Sequence, residues 1–548
     1  MRLKTSLHRF APIGLIVALS SAVVSAIAVE IDDSLPTANP QVGTPDNRII
    51  DDYKLVRIAQ GSDPLENPAA PIATFGLLTD GTKTEPDENT YLVFDRNPGG
   101  PTPGYDYGRR FLFQGHENGG SLAYITRINL DVKDPAHRIT LLTPPNPATG
   151  LTGFSNIDGS TWDPFSRTLL FTQENSATNG VIELSAGWPA TVRTLETVIG
   201  KGGFEGIHPD DKGDLWIVED AGGTGVNVDG NPANTDSPKT AKQPNSFVYR
   251  YHPYDRTNLA AGGTLYALQV WMNGAPLTFN AADPVGDTFS TKQLALHTPG
   301  TSNAVVWVKV HDSATDGFAA FNANSLAKTK LATPFKRPEN GQFQPDTDFE
   351  TFYFVTTGDT DNTSGSVPAL AARGAWGALW RVHFDRGNPI GGISLAFLGD
   401  AVHNSFDNVT FADRCTLLAT EDRGDGLHAQ LNTLDSVWAF RVCRDDDDRR
   451  RPWGPRRLIA LGRDAASLAG GEDNEPTGLH VSDGDASVRE LVGRKIETDE
   501  TRWFVTQQHG FNQVFEIKRN ERDRDGRDRD RDDRDCDRDG RGGGPGGR

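Results

Sequence analysis

The sequence predicts an all-β fold, a six-bladed β-propeller with inserted loops and strands and a disordered C-terminal tail. Three observations predict it. A strand-like motif ending in polar or acidic residues recurs six times, helical periodicity is scarce, and residues 519–548 alternate Arg with Asp before ending in glycines. Repetition of one antiparallel unit is how propellers declare themselves.

The first element is a leader. Arg2, Lys4 and Arg9 precede a short apolar stretch at 13–24, and Ala26 and Ala28 form an A-x-A site, so 1–28 reads as a signal peptide. The apolar stretch is too short for a permanent span, and no later segment is apolar enough to be one. Arg9 is followed by Phe10 rather than a second arginine, which favours the general secretory route to the periplasm or beyond. The net charge of -19 argues against nucleic acid or anionic membranes as partners and favours multivalent cations.

The propeller is expected over 29–518. Its repeats are RFLFQGHENGG (110–120), TLLFTQENS (168–176), DLWIVEDAGG (214–223), FYFVTTGDTDN (352–362), TLLATEDRGDG (416–426) and RWFVTQQHGFN (502–512). Most are followed by a further strand, and several alternate apolar residues between Gly, Asn and Asp, as half-buried antiparallel strands do. Uneven spacing marks insertions near 222–300 and 444–473. Cys415 and Cys443 bracket two predicted strands and can face each other across a hairpin, where an oxidising compartment would join them. Cys536 falls in the tail, which has no apolar residues to bury. Glu521, Asp523, Asp525, Gly526 and Asp532 mimic a calcium loop, a match that low-complexity alternation generates by chance.

An acid also stands ahead of most repeats: Asp158 before Glu174, Glu205 before Glu219 and Asp220, Glu339 before Asp359 and Asp361, Asp407 before Glu421 and Asp422, and Glu475 before QQHG. A hairpin brings its two ends to one rim, so five hairpins in radial array would point about ten polar groups at one mouth. Carboxylates so crowded need bound cations, and oxygen-only ligands suit hard ions, Ca²⁺ above all, with Mg²⁺, Mn²⁺ or Fe³⁺ as variants. Arg337 beside them can grip a phosphate bidentately or simply offset charge. His116 and His509 close strands at the same rim, where each can serve as ligand, acid or packing residue.

At GHEN, FTQE, GFEGIHPDDKGDLWIVED, KRPE, FDNV with LLATED, and EPTGL with QQHG, the chain resembles the PhoX-type alkaline phosphatases, from about Phe111 to Ile517. The resemblance implies a secreted six-bladed propeller that hydrolyses phosphate monoesters at an iron–calcium cluster, a metal-bound oxygen attacking phosphorus. It gives Arg337 as the phosphate-binding arginine and Glu174, Glu205, Asp220, Glu339, Asp407 and Asp422 as metal ligands. Where the family carries an iron-binding cysteine this chain has Gln173, a poor ligand for Fe³⁺, so Ca²⁺ is the expected cofactor. The expected substrate is a small phosphate ester. The alternatives are a non-catalytic calcium-stabilised propeller that binds a ligand or partner, or a phytase- or lactonase-like hydrolase.

Overall fold

The computed structural model describes residues 31, 33–174, 178–424, 426–443, 454–472, 475–482 and 502–520. The signal peptide, residues 521–548 with Cys536 and the calcium-loop mimic, and 444–453 of the second insertion lie outside the described residues.

The fold is all-β and propeller-like, with helices confined to short connections. Four sheets have four or five antiparallel strands, and one sheet of ten runs from Phe204–Pro209 to Pro338–Phe343. β-branched and aromatic residues suit the inner strands of these sheets, which are covered on both sides. Phe111 and Phe113 from one sheet meet Leu169 and Phe171 of the next, and Tyr353 and Val355 meet Phe411 and Phe440. Similar apolar clusters fill the other junctions between neighbouring sheets. No helix among the described residues is long and apolar enough to cross a membrane.

The innermost strands organise everything else. Glu85–Val93 lies beside Ile157–Asp163, which lies beside Phe204–Pro209, then Pro338–Phe343, Phe406–Asp413 and Glu475–Val481, and the last returns to Glu85–Val93. The circuit is closed by chain ends: Tyr53–Ala59 pairs with Gln513–Arg519 in the sheet that holds Glu475–Val481. An edge strand borrowed from the other end of the chain leaves no seam to fray.

The first insertion contributes strands to the sheets between longer loops and two short helices. A small hairpin pairs Gly225–Val226 with Ala241–Lys242, and the long strands Gly263–Met272 and Ser302–Asp312 pair with each other. Ser302–Asp312 also pairs with Gly391–Leu398, which fuses what would be two separate sheets into the sheet of ten. Cys415 and Cys443 are joined in a disulfide, tying a strand turn to the residues that follow Ser436–Arg441.

Candidate metal and anion site

Each innermost strand pairs with the strand after it through the same irregularity. Between Pro86 and Asn89 the inner strand advances three residues while its partner advances two, from His116 to Gln114. The same one-residue excess falls between Ile157 and Ser160, Phe204 and Ile207, Pro338 and Gly341, Phe406 and Val409, and Thr477 and His480. The first residue inside it is Asp87, Asp158, Glu205, Glu339 and Asp407 in turn, and Gly478 in the last. A β-bulge of this kind bends the strand and re-aims a side chain, so the fold presents one acid from each of five hairpins at a common level. The strands approach closely there. A Cβ on Gly159 would lie 2.4 Å from the Glu205 carbonyl oxygen, and one on Gly206 would lie 2.5 Å from Asn340 Oδ1. Only glycine fits at these two positions.

The closing strands add Glu117, Glu174, Asp220 and Asp422. Asp158, Glu174 and Glu205 offer carboxylate oxygens that all lie within 4.8 Å of one another, and so do Asp87, Glu117 and Asp158. Burial, and then the charges of Asp220 and Asp158, push the Glu174 carboxyl up to about 8, against the pull of Arg337. Burial and neighbouring carboxylates likewise hold Glu205, Glu339, Asp407, Asp87 and Glu117 well above the usual carboxylate range. The physical cause is common to all: like charges sharing a desolvated space.

Arg337 sits against this cluster. Its Nε donates to Asp220 Oδ2 at 2.7 Å, its Nη2 is 3.6 Å from Glu339 Oε1, and its Nη1 donates to Thr360 Oγ1 at 3.4 Å. Burial opposes its charge, but Asp220, Glu339 and Asp422 more than offset that and raise its pKa. Its backbone holds φ at 54°, a left-handed conformation that arginine rarely adopts. Two lysines flank it. Lys336 Nζ is buried on Asp359 Oδ1 at 2.8 Å, and Lys242 Nζ, from the inserted hairpin, reaches Thr360 Oγ1 at 3.4 Å. Thr357 Oγ1 donates to Glu339 Oε1 at 2.6 Å and fixes that carboxylate.

The expected residues therefore come together: Glu174, Glu205, Asp220, Glu339, Asp407 and Asp422 all interact with one another or with Arg337 through charge. Their sequence neighbours point elsewhere, as strand alternation requires. Glu219 accepts from Tyr249 Oη, Asn324 Nδ2 and Phe247 N, and Glu421 from Arg423 Nη2, Ser436 N and Asn404 N. Asp361 caps the helix Asn362–Gly365. His116 is no ligand: it is buried between Phe75 and Tyr124, with its pKa lowered to about 3 by burial. Three members lay outside the expected ligand set: Asp87, Glu117 and Asp158, the last expected at the mouth only as a hairpin-opening acid. The EPDEN run that carries Asp87 precedes GHEN much as GFEG precedes IVED, and that parallel was the available signal.

The residues fit a hard cation. Glu205 Oε1, Asp220 Oδ1 and Asp87 Oδ1 are buried without a hydrogen-bond donor, and such atoms are costly unless an ion takes them up. The donor set is oxygen throughout, as calcium prefers. Gln173 is committed elsewhere, accepting from Ser155 N and donating to Gly180 O at 2.7 Å.

Comparison with known proteins gives one family match. Residues 239–437 match the family model of alkaline phosphatase PhoX. No curated protein matches. Among solved structures, a mutant of the Synechocystis apocarotenoid oxygenase is 8% identical, covering 89% of this chain and 81% of that one, with a TM-score of 0.24. The Pseudomonas brassicacearum lignostilbene dioxygenase is 9% identical, covering 86% and 88%, also at 0.24. Superposition that loose carries no argument about this chain.

Proposed function

We propose that this chain is an exported, calcium-dependent phosphoric monoester hydrolase on a six-bladed propeller, with Arg337 as the phosphate-holding residue. One observation carries the reading: Arg337 and Glu339, inside the segment that matches the PhoX alkaline phosphatase family, meet Glu174, Asp220, Asp407 and Asp422 from three other hairpins at one mouth. Six blades follow if the sheet of ten counts as two, each with its own bulged inner hairpin. Export is supported by the Cys415–Cys443 bond, which suits an oxidising compartment.

Calcium held by Asp158, Glu174, Glu205, Asp220, Glu339, Asp407 and Asp422 would supply Lewis-acid polarisation of the phosphoryl group. The chain itself does the positioning. Asp220 grips the Nε side of Arg337 and leaves the two Nη groups to receive phosphoryl oxygens in the paired geometry a guanidinium offers. Lys242 brings a second positive charge to the same hydroxyl of Thr360 that Arg337 touches. A dianionic ester is thereby drawn to an otherwise acidic mouth at one edge only, which sets its orientation. Thr357 and the bulge at Glu339 hold the neighbouring carboxylate still.

The test is hydrolysis of p-nitrophenyl phosphate by purified mature protein, with elemental analysis, before and after chelation. Turnover that tracks bound calcium is expected. Absence of phosphomonoesterase activity in calcium-loaded protein, or turnover indifferent to chelator, overturns the proposal.

A further inference from the structure

The strand Ser302–Asp312 does more than lengthen a sheet. By pairing with both Gly263–Met272 and Gly391–Leu398, it makes the sheet of ten curl until its ends, Phe204–Pro209 and Pro338–Phe343, lie side by side. The interior of this barrel is packed solid with residues such as Val218, Val305, Phe354 and Trp380. One end is open. A cavity of about 230 Å³ lies there, walled by Trp216, Trp307, Phe349 and Phe384 and rimmed by the turns at 210–212, 348–350 and 384–389. Barrel mouths are favoured places for small-molecule sites. This one is remote from the acid cluster, because Glu205 opens the strand that Asp210 follows, about 17 Å away at about 3.3 Å per residue.

Its chemistry narrows the occupant. Trp216 stands edge-on to Trp307 at 4.9 Å, and Phe384 is stacked on Trp307 at 5.9 Å, so rigid aromatic surface dominates the wall. The rim carries charges of both signs, and its two arginines are each held by a carboxylate. Arg386 Nη2 meets Asp211 Oδ2 at 2.8 Å, Arg386 N donates to Glu350 Oε1, and Arg250 pairs with Asp214 at 2.9 Å. Asp210 accepts from Lys212 N, Asp214 N and Trp216 Nε1. An anionic ligand would have to break such pairs. A neutral polyhydroxy ring would not: its C–H face lies on aromatic rings, and its hydroxyls exchange hydrogen bonds with donors and acceptors alike. At about 30 Å³ per water, the cavity holds the volume of about eight waters, enough for one such ring and little more.

We infer that the open end of the barrel is a binding site for a single neutral sugar ring, separate from the acidic mouth. Saturation-transfer NMR and calorimetry on the calcium-loaded mature protein test it, with methyl glucoside and methyl galactoside as probes and indole, choline and inorganic phosphate as controls. At least one glycoside should bind, and Arg386→Ala at the rim and Trp307→Phe in the wall should each weaken it about tenfold. Arg386 is largely exposed, so its variant folds even if the wall variant does not. Failure of both glycosides to bind overturns the inference, as does binding unchanged in Arg386→Ala. Selective binding of indole or choline instead of sugar overturns it too.

Discussion

Arg337 is a cation buried among acids, and its place depends on being both paired and spare. Asp220 takes one edge of the guanidinium, while the remaining nitrogens make only long contacts of 3.4 and 3.6 Å. A residue held in a left-handed conformation at such a point fits a role in binding rather than packing. Arg337→Ala should lower kcat/KM for a phosphomonoester by roughly 10²–10³-fold, the scale of losing one preorganised anion-stabilising group. Arg337→Lys should recover only part of that, because an ammonium cannot make the paired contact. Steady-state kinetics alongside thermal melts separate the two roles: activity falls while the melting temperature of the calcium-loaded protein holds.

A second residue bears on stability alone. His252 Nδ1 lies 2.6 Å from Asp214 Oδ1, and this contact raises its pKa above the ordinary value, against its own partial burial and Arg250, with help from Asp210. A raised histidine contributes stability that is complete below its unfolded pKa of about 6.5 and is lost as pH climbs through the raised value. Urea midpoints should therefore fall across that interval, and His252→Gln should flatten the fall. A variant with the wild-type slope would refute the linkage.

At the level of elements, the recurring bulge explains why acids distant in sequence arrive at one level. It also marks the limit of what the letters alone convey. Hairpin logic sufficed to bring Asp158, Glu205, Glu339 and Asp407 to a shared mouth, because acid-opened and acid-closed strand pairs are visible in the sequence. It did not reveal the extra residue in each inner strand, since a bulge is a property of register between two strands. Nor did it include Asp87, whose strand is separated from its partner by a Gly- and Pro-rich loop with no strand signal of its own. The fusion of two sheets by Ser302–Asp312 was hidden for a similar reason: AVVWVKV announces a strand, not its neighbours. The glycines that succeed two of the acids carry a signal of their own, for Gly159 and Gly206 leave room that no other residue would. Gly159→Ala should drive a methyl into the Glu205 carbonyl, costing about 1–3 kcal/mol of stability by overpacking. Because the clash falls on the backbone of a ligand strand, calcium affinity measured by calorimetry should drop as well. Unchanged affinity would show that the bulges tolerate displacement.

Over the whole molecule, closure and charge oppose each other. The circuit of inner strands is sealed by pairing between Tyr53–Ala59 and Gln513–Arg519, and it brings together carboxylates that repel once ionised. Burial and mutual repulsion both favour opening the ring, while the apolar clusters between sheets favour keeping it shut. A cation that binds only the closed ring shifts that balance by mass action, by about 2.7 kcal/mol when its free concentration is 100 times its dissociation constant. Calcium should therefore raise the melting temperature progressively with concentration, and chelation should lower it, in scanning calorimetry of the mature protein. Asp158→Asn sharpens the test, since Asp158 belongs to both groups of closely spaced oxygens. Removing its charge should stabilise the chelated protein, by relieving repulsion, while weakening the response to calcium. A purely structural acid would give one sign under both conditions; a ligand shared between cations must give opposite signs.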